Sequence, residues 1–307
     1  MSDELVKGLL CNAAINFYAI SAPNTVEQAR RLHDASPVCT AALGRSLMAA
    51  SMLGCMLKVP DGEVSFMVKG GGPAGNIVCV GRPDASVKGY ITNPQVDLPP
   101  RESDGKLDVG GAVGKDGTLV VITDLGLKEP YVGQSDLVSG EIAEDLASYF
   151  VNSQQQPSAV FLGVHLGASG VTSAAGMILQ PLPFCLDDAV EKLERRLYTL
   201  AEMPGLMEAG MTLEEFVRWA FGDMDPVFTE TLTPAFRCDC SKKRLREVLF
   251  ALGEKELLDM AEAQHGAQLV CHFCGGKYEF SEAELREIAA RAAEAKARRE
   301  DLDEPAD

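Results

Sequence analysis

The chain has 307 residues, 46% of them hydrophobic, which is enough for a sizeable core and too long for a single small domain. Its 45 acidic against 28 basic residues leave a formal net charge of −17, which repels phosphate backbones and anionic lipid, so neither nucleic acid nor a membrane is an expected partner. Nine cysteines, an odd number with five scattered among apolar neighbours, argue against a framework of permanent disulfides and for a reducing compartment.

The opening Met1-Ser2-Asp3-Glu4 lacks the basic and apolar regions of a secretory signal, and no uninterrupted apolar run approaches the ~18 residues of a membrane span. A soluble, cytoplasmic protein is therefore expected. Ile15 to Ser21 reads as a strand. Asn24 is placed as an N-cap with Glu27 at capping-box spacing, leading a helix over Val26 to His33. A second helix is expected over Thr40 to Leu57, where Leu43, Leu47, Ala50, Leu53 and Leu57 recur at three and four residues.

From Val64 the texture turns to short β-rich runs, Val64 to Lys69, Ile77 to Val80, Val87 to Thr92 and Leu119 to Thr123. Gly70 to Gly75 would have to open a helix to cradle a phosphate, and it joins two strands instead. Gly114-Lys115 is followed by Asp116 where a phosphate loop needs Ser or Thr, and Asp116-Gly117 reads as a hairpin turn. Around Ser169 the Gly-x-Ser-x-Gly spacing of a nucleophile elbow is missing. A helix over Glu141 to Phe150 and strands over Val160 to Leu166 and Met177 to Gln180 complete an expected α+β core, mixed β-sheets packed on helices, ending near Phe184.

Beyond it, Leu186, Val190, Leu193, Leu197 and Leu200 form a helical stripe, with Asp188/Lys192 and Glu191/Arg195 as expected ion pairs. A break at Pro204-Gly205 precedes a helix opened by a Thr212 to Glu215 capping box. This segment has one apolar face and no core of its own. It must lie on another surface.

Four cysteines then fall into two pairs, Cys238-Asp239-Cys240 and, thirty residues later, Cys271-His272-Phe273-Cys274. Four soft ligands in two pairs suit one tetrahedral zinc ion per chain. His265 and His272 are surplus to a complete sulfur tetrahedron. Chelation by Cys-x-Cys needs a sharp turn at Asp239, and the same strain makes a Cys238–Cys240 disulfide harder to form than a Cys271–Cys274 one. Ser241 caps a helix carrying Lys242, Lys243, Arg244 and Arg246, cations placed to offset the charge of a four-thiolate centre. Between Phe236 and Leu285 seven basic residues face nine acidic ones, so this module has no nucleic-acid surface beyond a local patch. Spacing alone does not separate a purely structural zinc knob from a reactive site, and two other readings stand beside these: a zinc-ribbon binding module, and a thiol oxidoreductase using Cys271 and Cys274. Cys11, Cys39, Cys55, Cys79 and Cys185 are expected to be buried bystanders. Ser281 and Glu284 make another capping box, and the acidic tail Asp301 to Asp307 is expected to be disordered.

Nearly the whole chain resembles the heat-shock protein 33 family of redox-regulated chaperones. The resemblance rests on Lys88-Gly-Tyr-Ile-Thr-Asn-Pro94, Asp124-Leu-Gly-Leu-Lys-Glu-Pro-Tyr131, Ser139-Gly-Glu-Ile-Ala-Glu-Asp145 and the Cys-x-Cys plus Cys-x₂-Cys pairs at this separation. It implies a core domain over 1–184, a metastable helical linker over 185–235, a small C-terminal zinc-binding redox module over 236–290 and a charged tail over 291–307. It implies zinc held by Cys238, Cys240, Cys271 and Cys274 in an inactive reduced state. Oxidation of these cysteines to two disulfides then yields an ATP-independent holdase for unfolding clients, without enzymatic activity. ATP-dependent refolding chaperones as later recipients and a homodimer in the oxidised state are further implications, and Cys185 at the linker's edge leaves an off-pattern disulfide open.

Overall fold

A computed structural model of the chain describes the backbone of residues 2–183 and 185–303. It divides into two units, Met1–Arg237 and Cys238–Asp307.

In the first unit β1 (Glu4–Leu10) and β2 (Ile15–Ser21) lead to α1 (Pro23–His33) and α2 (Pro37–Cys55). Three strands follow, β3 (Glu63–Lys69), β4 (Ile77–Gly81) and β5 (Ser86–Ile91). The short α3 (Val109–Val113) precedes β6 (Thr118–Asp124), β7 (Tyr131–Asp136) and α4 (Ala143–Asn152). After β8 (Ala159–Gly167) and β9 (Gly170–Pro181) the chain makes a helical excursion. It consists of α5 (Asp187–Glu194), a 3₁₀ turn over Leu197–Glu202, α6 (Met203–Glu208), α7 (Leu213–Phe221) and a 3₁₀ turn over Gly222–Met224. It returns through β10 (Val227–Leu232) and β11 (Ala235–Phe236).

Two sheets result, a five-stranded one in the order β10-β1-β2-β9-β8 and a six-stranded one in the order β11-β5-β4-β3-β6-β7. Helix α2 lies between them. It is long and apolar enough to cross a membrane by length and composition, yet nearly all of it is buried here as the core helix. Its small residues allow that: a Cβ at Gly81 of β4 would meet the Ala50 carbonyl of α2 at 1.9 Å, so strand and helix are in backbone contact.

The five-stranded sheet is apolar on both faces because side chains alternate along each strand. Leu5, Ile20, Ala174 and Ile178 face α2. Val6, Leu10, Ile15, Phe17, Ala19, Ala175, Met177 and Leu179 face the other way, and that face is covered by Leu193, Leu200, Met203, Met207, Phe216, Val217 and Phe221 of the excursion. The coverless segment expected from sequence thus finds its surface on the back of this sheet.

Several expectations need correction. Strands β1, β7 and β10 escaped the β-rich texture. The N-cap of α1 is not Asn24: Asp3, some twenty residues away, accepts from the Asn24 and Thr25 amides at 2.9 and 2.7 Å, and Glu27 instead pairs with Arg30 and Arg31. Helix α2 begins earlier than Thr40, with Ser36 as cap and Pro37 in the first turn, where its missing N–H costs nothing. Asp116-Gly117 connects helix α3 to β6 and is no hairpin. The stripe from Leu186 to Leu200 is split between α5 and a 3₁₀ turn, Lys192 pairs with Asp223 and not with Asp188, and Pro204 sits in the first turn of α6, where a break between helices was expected. The helical part of the 185–235 segment stops at Met224: Asp225 takes a left-handed φ of 50°, Pro226 follows, and the β-branched Val227, Thr229 and Thr231 lie in β10. Phe184 lies outside the described residues.

Helix α4 starts two residues later than expected because Asp145 organises its approach. Its buried carboxylate accepts from the amides of Val138 (2.7 Å), Ser139 (3.0 Å), Gly140 (3.3 Å) and Ile142 (2.9 Å). Asp145→Ala strands these donors, so it should cost about 3–5 kcal/mol in urea unfolding, with Asp145→Asn costing less. A loss under about 1 kcal/mol for the alanine variant would show that the loop re-satisfies its amides unaided.

The second unit holds α8 (Lys242–Leu252), α9 (Glu254–Gln264), the antiparallel hairpin β12 (Gly266–Val270) and β13 (Lys277–Ser281), and α10 (Glu282–Asp303). Its core is small: Leu249, Leu257, Ala261, Phe280, Leu285, Ile288 and Ala289. The Ser281/Glu284 box opens α10 as expected, with Ser281 N donating to Glu284 at 3.0 Å. The first three residues of the acidic tail continue α10, whereas disorder was expected there, and residues 304–307 lie outside the described residues.

Candidate metal centre

Both cysteine pairs lie in the second unit. Cys238 and Cys240 occupy an irregular extended stretch immediately before Ser241, whose hydroxyl caps α8 by accepting from Arg244 N at 3.2 Å. Cys271 and Cys274 sit on the turn of the β12–β13 hairpin. Cys271 N donates to Gly276 O at 2.9 Å and Gly275 N to Cys271 O at 2.8 Å, while Gly275 has φ +68°, a conformation that favours glycine. Gly276 leaves room beside the site: a Cβ there would stand 3.3 Å from Cys274 Sγ.

The two pairs converge. All four sulfurs lie within 4.8 Å of one another, with Cys238 Sγ 3.7 Å from Cys271 Sγ and Cys240 Sγ 3.3 Å from Cys274 Sγ. A tetrahedral ion with metal–sulfur bonds of ~2.3 Å sets its ligands ~3.8 Å apart, so the donor set fits one soft metal ion. Among the described residues the cluster is sulfur alone. His265, one of the surplus histidines, instead faces Glu282 at 3.3 Å.

Tyr278 completes the surroundings and was missed from sequence. Its hydroxyl lies 3.1 Å from Cys240 Sγ and donates to the Cys240 carbonyl at 3.1 Å. The two-residue period of β13 sets Tyr278 and Phe280 on one face, and that alternation is the signal that could have found it. Burial pushes the Cys238 and Cys274 thiols up. Burial acts on Cys240 in the same sense, but it is outweighed by the Tyr278 hydroxyl and the neighbouring thiols, which bring Cys240 down to about 7. Tyr278 is itself pushed up to about 12, first by its bond to Cys240 and then by burial.

The cations of α8 do less for the cluster than expected. Lys242 pairs with Glu284 at 2.8 Å and Arg246 with Glu287 at 3.0 Å, so both serve to dock α8 on α10. Arg244 bears on the cysteines through an ion pair to Asp239 between Cys238 and Cys240. The bystander cysteines also divide: Cys39, Cys55 and Cys79 are buried, whereas Cys11 and Cys185 are half-exposed.

The family model described as "Hsp33 protein" matches residues 3–281. The 33 kDa chaperonin of Alkaliphilus metalliredigens is 43% identical over 287 residues, covering 93% of this chain and 98% of that one. The 33 kDa chaperonin of Caldanaerobacter subterraneus subsp. tengcongensis is 41% identical over 293 residues, covering 95% of this chain and 99% of that one. Among solved structures, the 33 kDa chaperonin (heat shock protein 33 homolog) of Thermotoga maritima has a TM-score of 0.86 at 34% identity, covering 96% of this chain and 100% of that one.

Proposed function

Because the chain belongs to the Hsp33 family, which consists of chaperones and not enzymes, we propose that it is a redox-regulated, ATP-independent holdase. Unfolded client proteins are the partners that a chaperone of this family binds. The observation that carries the switch is the gathering of Cys238, Cys240, Cys271 and Cys274, two pairs thirty residues apart, into one sulfur cluster. We assign the metal as zinc, one per reduced chain. When bound it holds the sulfurs as thiolates and ties the start of α8 to the β12–β13 turn.

Each pair then reacts as a unit with an oxidant such as hydrogen peroxide. One sulfur attacks a peroxide oxygen and releases water, and the second displaces the resulting hydroxyl as another water, so two thiols and one peroxide give one disulfide and two waters. A disulfide sulfur is a poor ligand, so closing Cys271 to Cys274 and Cys238 to Cys240 dismantles the site. In this reading residues 185–235 form the metastable linker, 236–290 the redox module and 1–184 the core, with 291–307 a charged tail. Release of the linker uncovers Val6, Ile15, Phe17, Met177 and Leu179 on the back of the five-stranded sheet, an apolar surface suited to unfolding chains. Cytoplasmic residence, hand-over of clients to ATP-dependent refolding chaperones, an oxidised homodimer and the absence of a nucleic-acid role belong to the same proposal.

Metal analysis of the purified reduced chain tests the assignment. One zinc per chain is expected, and none after Cys271 and Cys274 are both replaced by serine. Timed alkylation during oxidation should find Cys271–Cys274 closed before Cys238–Cys240. Stoichiometric zinc in the double variant would remove the site from these sulfurs.

A further inference from the structure

Cys11 and Cys185, outside the sulfur cluster, lie where the helical excursion leaves and rejoins the five-stranded sheet. Cys11 opens the turn between β1 and β2, where Cys11, Asn12 and Ala13 all take positive φ and Ala14 N donates to Leu10 O at 3.0 Å. At the far end of the β2–β9 pairing Ile15 stands opposite Pro181, and the next residue is pinned to the same turn, Leu182 N donating to Ala14 O at 2.8 Å. The chain then folds back at once, with Cys185 N donating to Leu182 O at 3.0 Å. From the other side, Cys11 N donates to Met224 O at 2.6 Å, at the end of the excursion. Both thiols are free, half-exposed and packed against the same apolar cluster, unlike the buried Cys39, Cys55 and Cys79. Burial raises the Cys11 thiol, with Lys192 opposing and the Cys185 sulfur adding to it, while burial, then Asp188 and Asp187, raises the Cys185 thiol.

We propose that Cys11 and Cys185 are a second dithiol–disulfide pair, oxidised by small disulfides, which staples the root of the helical excursion to the β1–β2 turn. The partner is a low-molecular-weight disulfide, and the reaction is thiol exchange. The Cys185 thiolate attacks one sulfur of the small disulfide and expels one small thiol. The Cys11 thiolate then attacks the Cys185 sulfur of the mixed disulfide and expels the second. Two electrons pass from the cysteine pair to the small disulfide, and the two cysteine protons end on the two expelled thiols. The cross-link leaves α5 to α7 able to leave the sheet while holding residue 185 in place, so it limits how far an opening spreads into β9.

The test uses the full reduced chain, exposed to oxidised glutathione, blocked with N-ethylmaleimide and digested without reduction for mass spectrometry. The natural chain should yield a peptide joining Cys11 to Cys185 with no lasting glutathione on either. The Cys11→Ser variant should instead retain glutathione on Cys185, because the resolving thiol is gone. In the cross-linked chain amide exchange over residues 182–190 should slow about tenfold relative to identically treated Cys185→Ser. Glutathione retained on Cys185 in the natural chain, linkage of Cys185 between chains, both thiols left free, or unchanged exchange would each overturn the proposal. Zinc content measured on the same samples keeps the outcome separate from the fate of the four-sulfur site.

Discussion

Removing the metal from the reduced chain with a strong chelator should unfold the second unit and leave the two sheets of the first intact. The physical reason is the size of its core. Among the described residues, seven buried apolar side chains, three of them from the first turns of α10, must hold three helices and a hairpin. Both cysteine-bearing segments lie outside helices and strands: Cys238 to Cys240 have no regular structure, and Cys271 to Cys274 lie on a turn in which Cys271 N donates to Gly276 O and Gly275 N to Cys271 O. Metal binding of about 10–16 kcal/mol, the range for structural zinc in small modules, exceeds what so small a core can supply after chain entropy is opposed. Native-state amide exchange reads the two units separately. Amides of α8, β12 and β13 should exchange at unfolded rates after chelation, while those of β2, β9 and α2 keep their protection. Protection of the β12–β13 hairpin without metal would show that the unit folds on its own core.

The second large effect separates the surface from the switch. Phe216 and Phe221 of α7 are fully buried against the back of the five-stranded sheet. Replacing Phe216 by Asp puts a carboxylate into that apolar seat, losing about 3–5 kcal/mol of packing and adding the cost of burying a charge. The excursion has no other core to fall back on. The reduced, zinc-loaded Phe216→Asp chain should therefore suppress client aggregation nearly as well as the oxidised natural chain, with its four cluster thiols still reduced. Light scattering of a thermally unfolding client reads this directly. A reduced variant as inactive as the natural reduced chain, despite measured loss of protection in α7, would mean that clients bind elsewhere.

How much of this was legible depends on where each signal is stored. The central strands and α2 follow from local periodicity, and the Thr212, Ser241 and Ser281 caps from four-residue motifs, because those interactions close within a few residues. The gathering of the four cysteines into one cluster was legible because metal chemistry restricts residue type and spacing alike. Strand β1 was not: Lys7 and Gly8 interrupt its pattern, and its stability comes from pairing with β2 and with β10, the latter more than two hundred residues away. Asp3 capping α1, Lys192 turning to Asp223 and the α8 cations docking on α10 are likewise choices among partners that only the tertiary fold brings near. Pro204 misled for a different reason, since a proline reads as a break or as a first-turn residue depending on where the helix starts. The covered back of the five-stranded sheet was foreseen only as a need, an apolar helical face without a seat.

The central claim is that loss of the sulfur site and gain of client binding are one event. Hydrogen peroxide titrated into the reduced, zinc-loaded chain at raised temperature, with released zinc and client light scattering recorded in the same sample, tests it most directly. The account predicts that suppression of aggregation rises in step with zinc release, from nothing in the untreated chain to its maximum when the four thiols are consumed; full suppression before any zinc has left, or equal protection by the untreated chain, would contradict it.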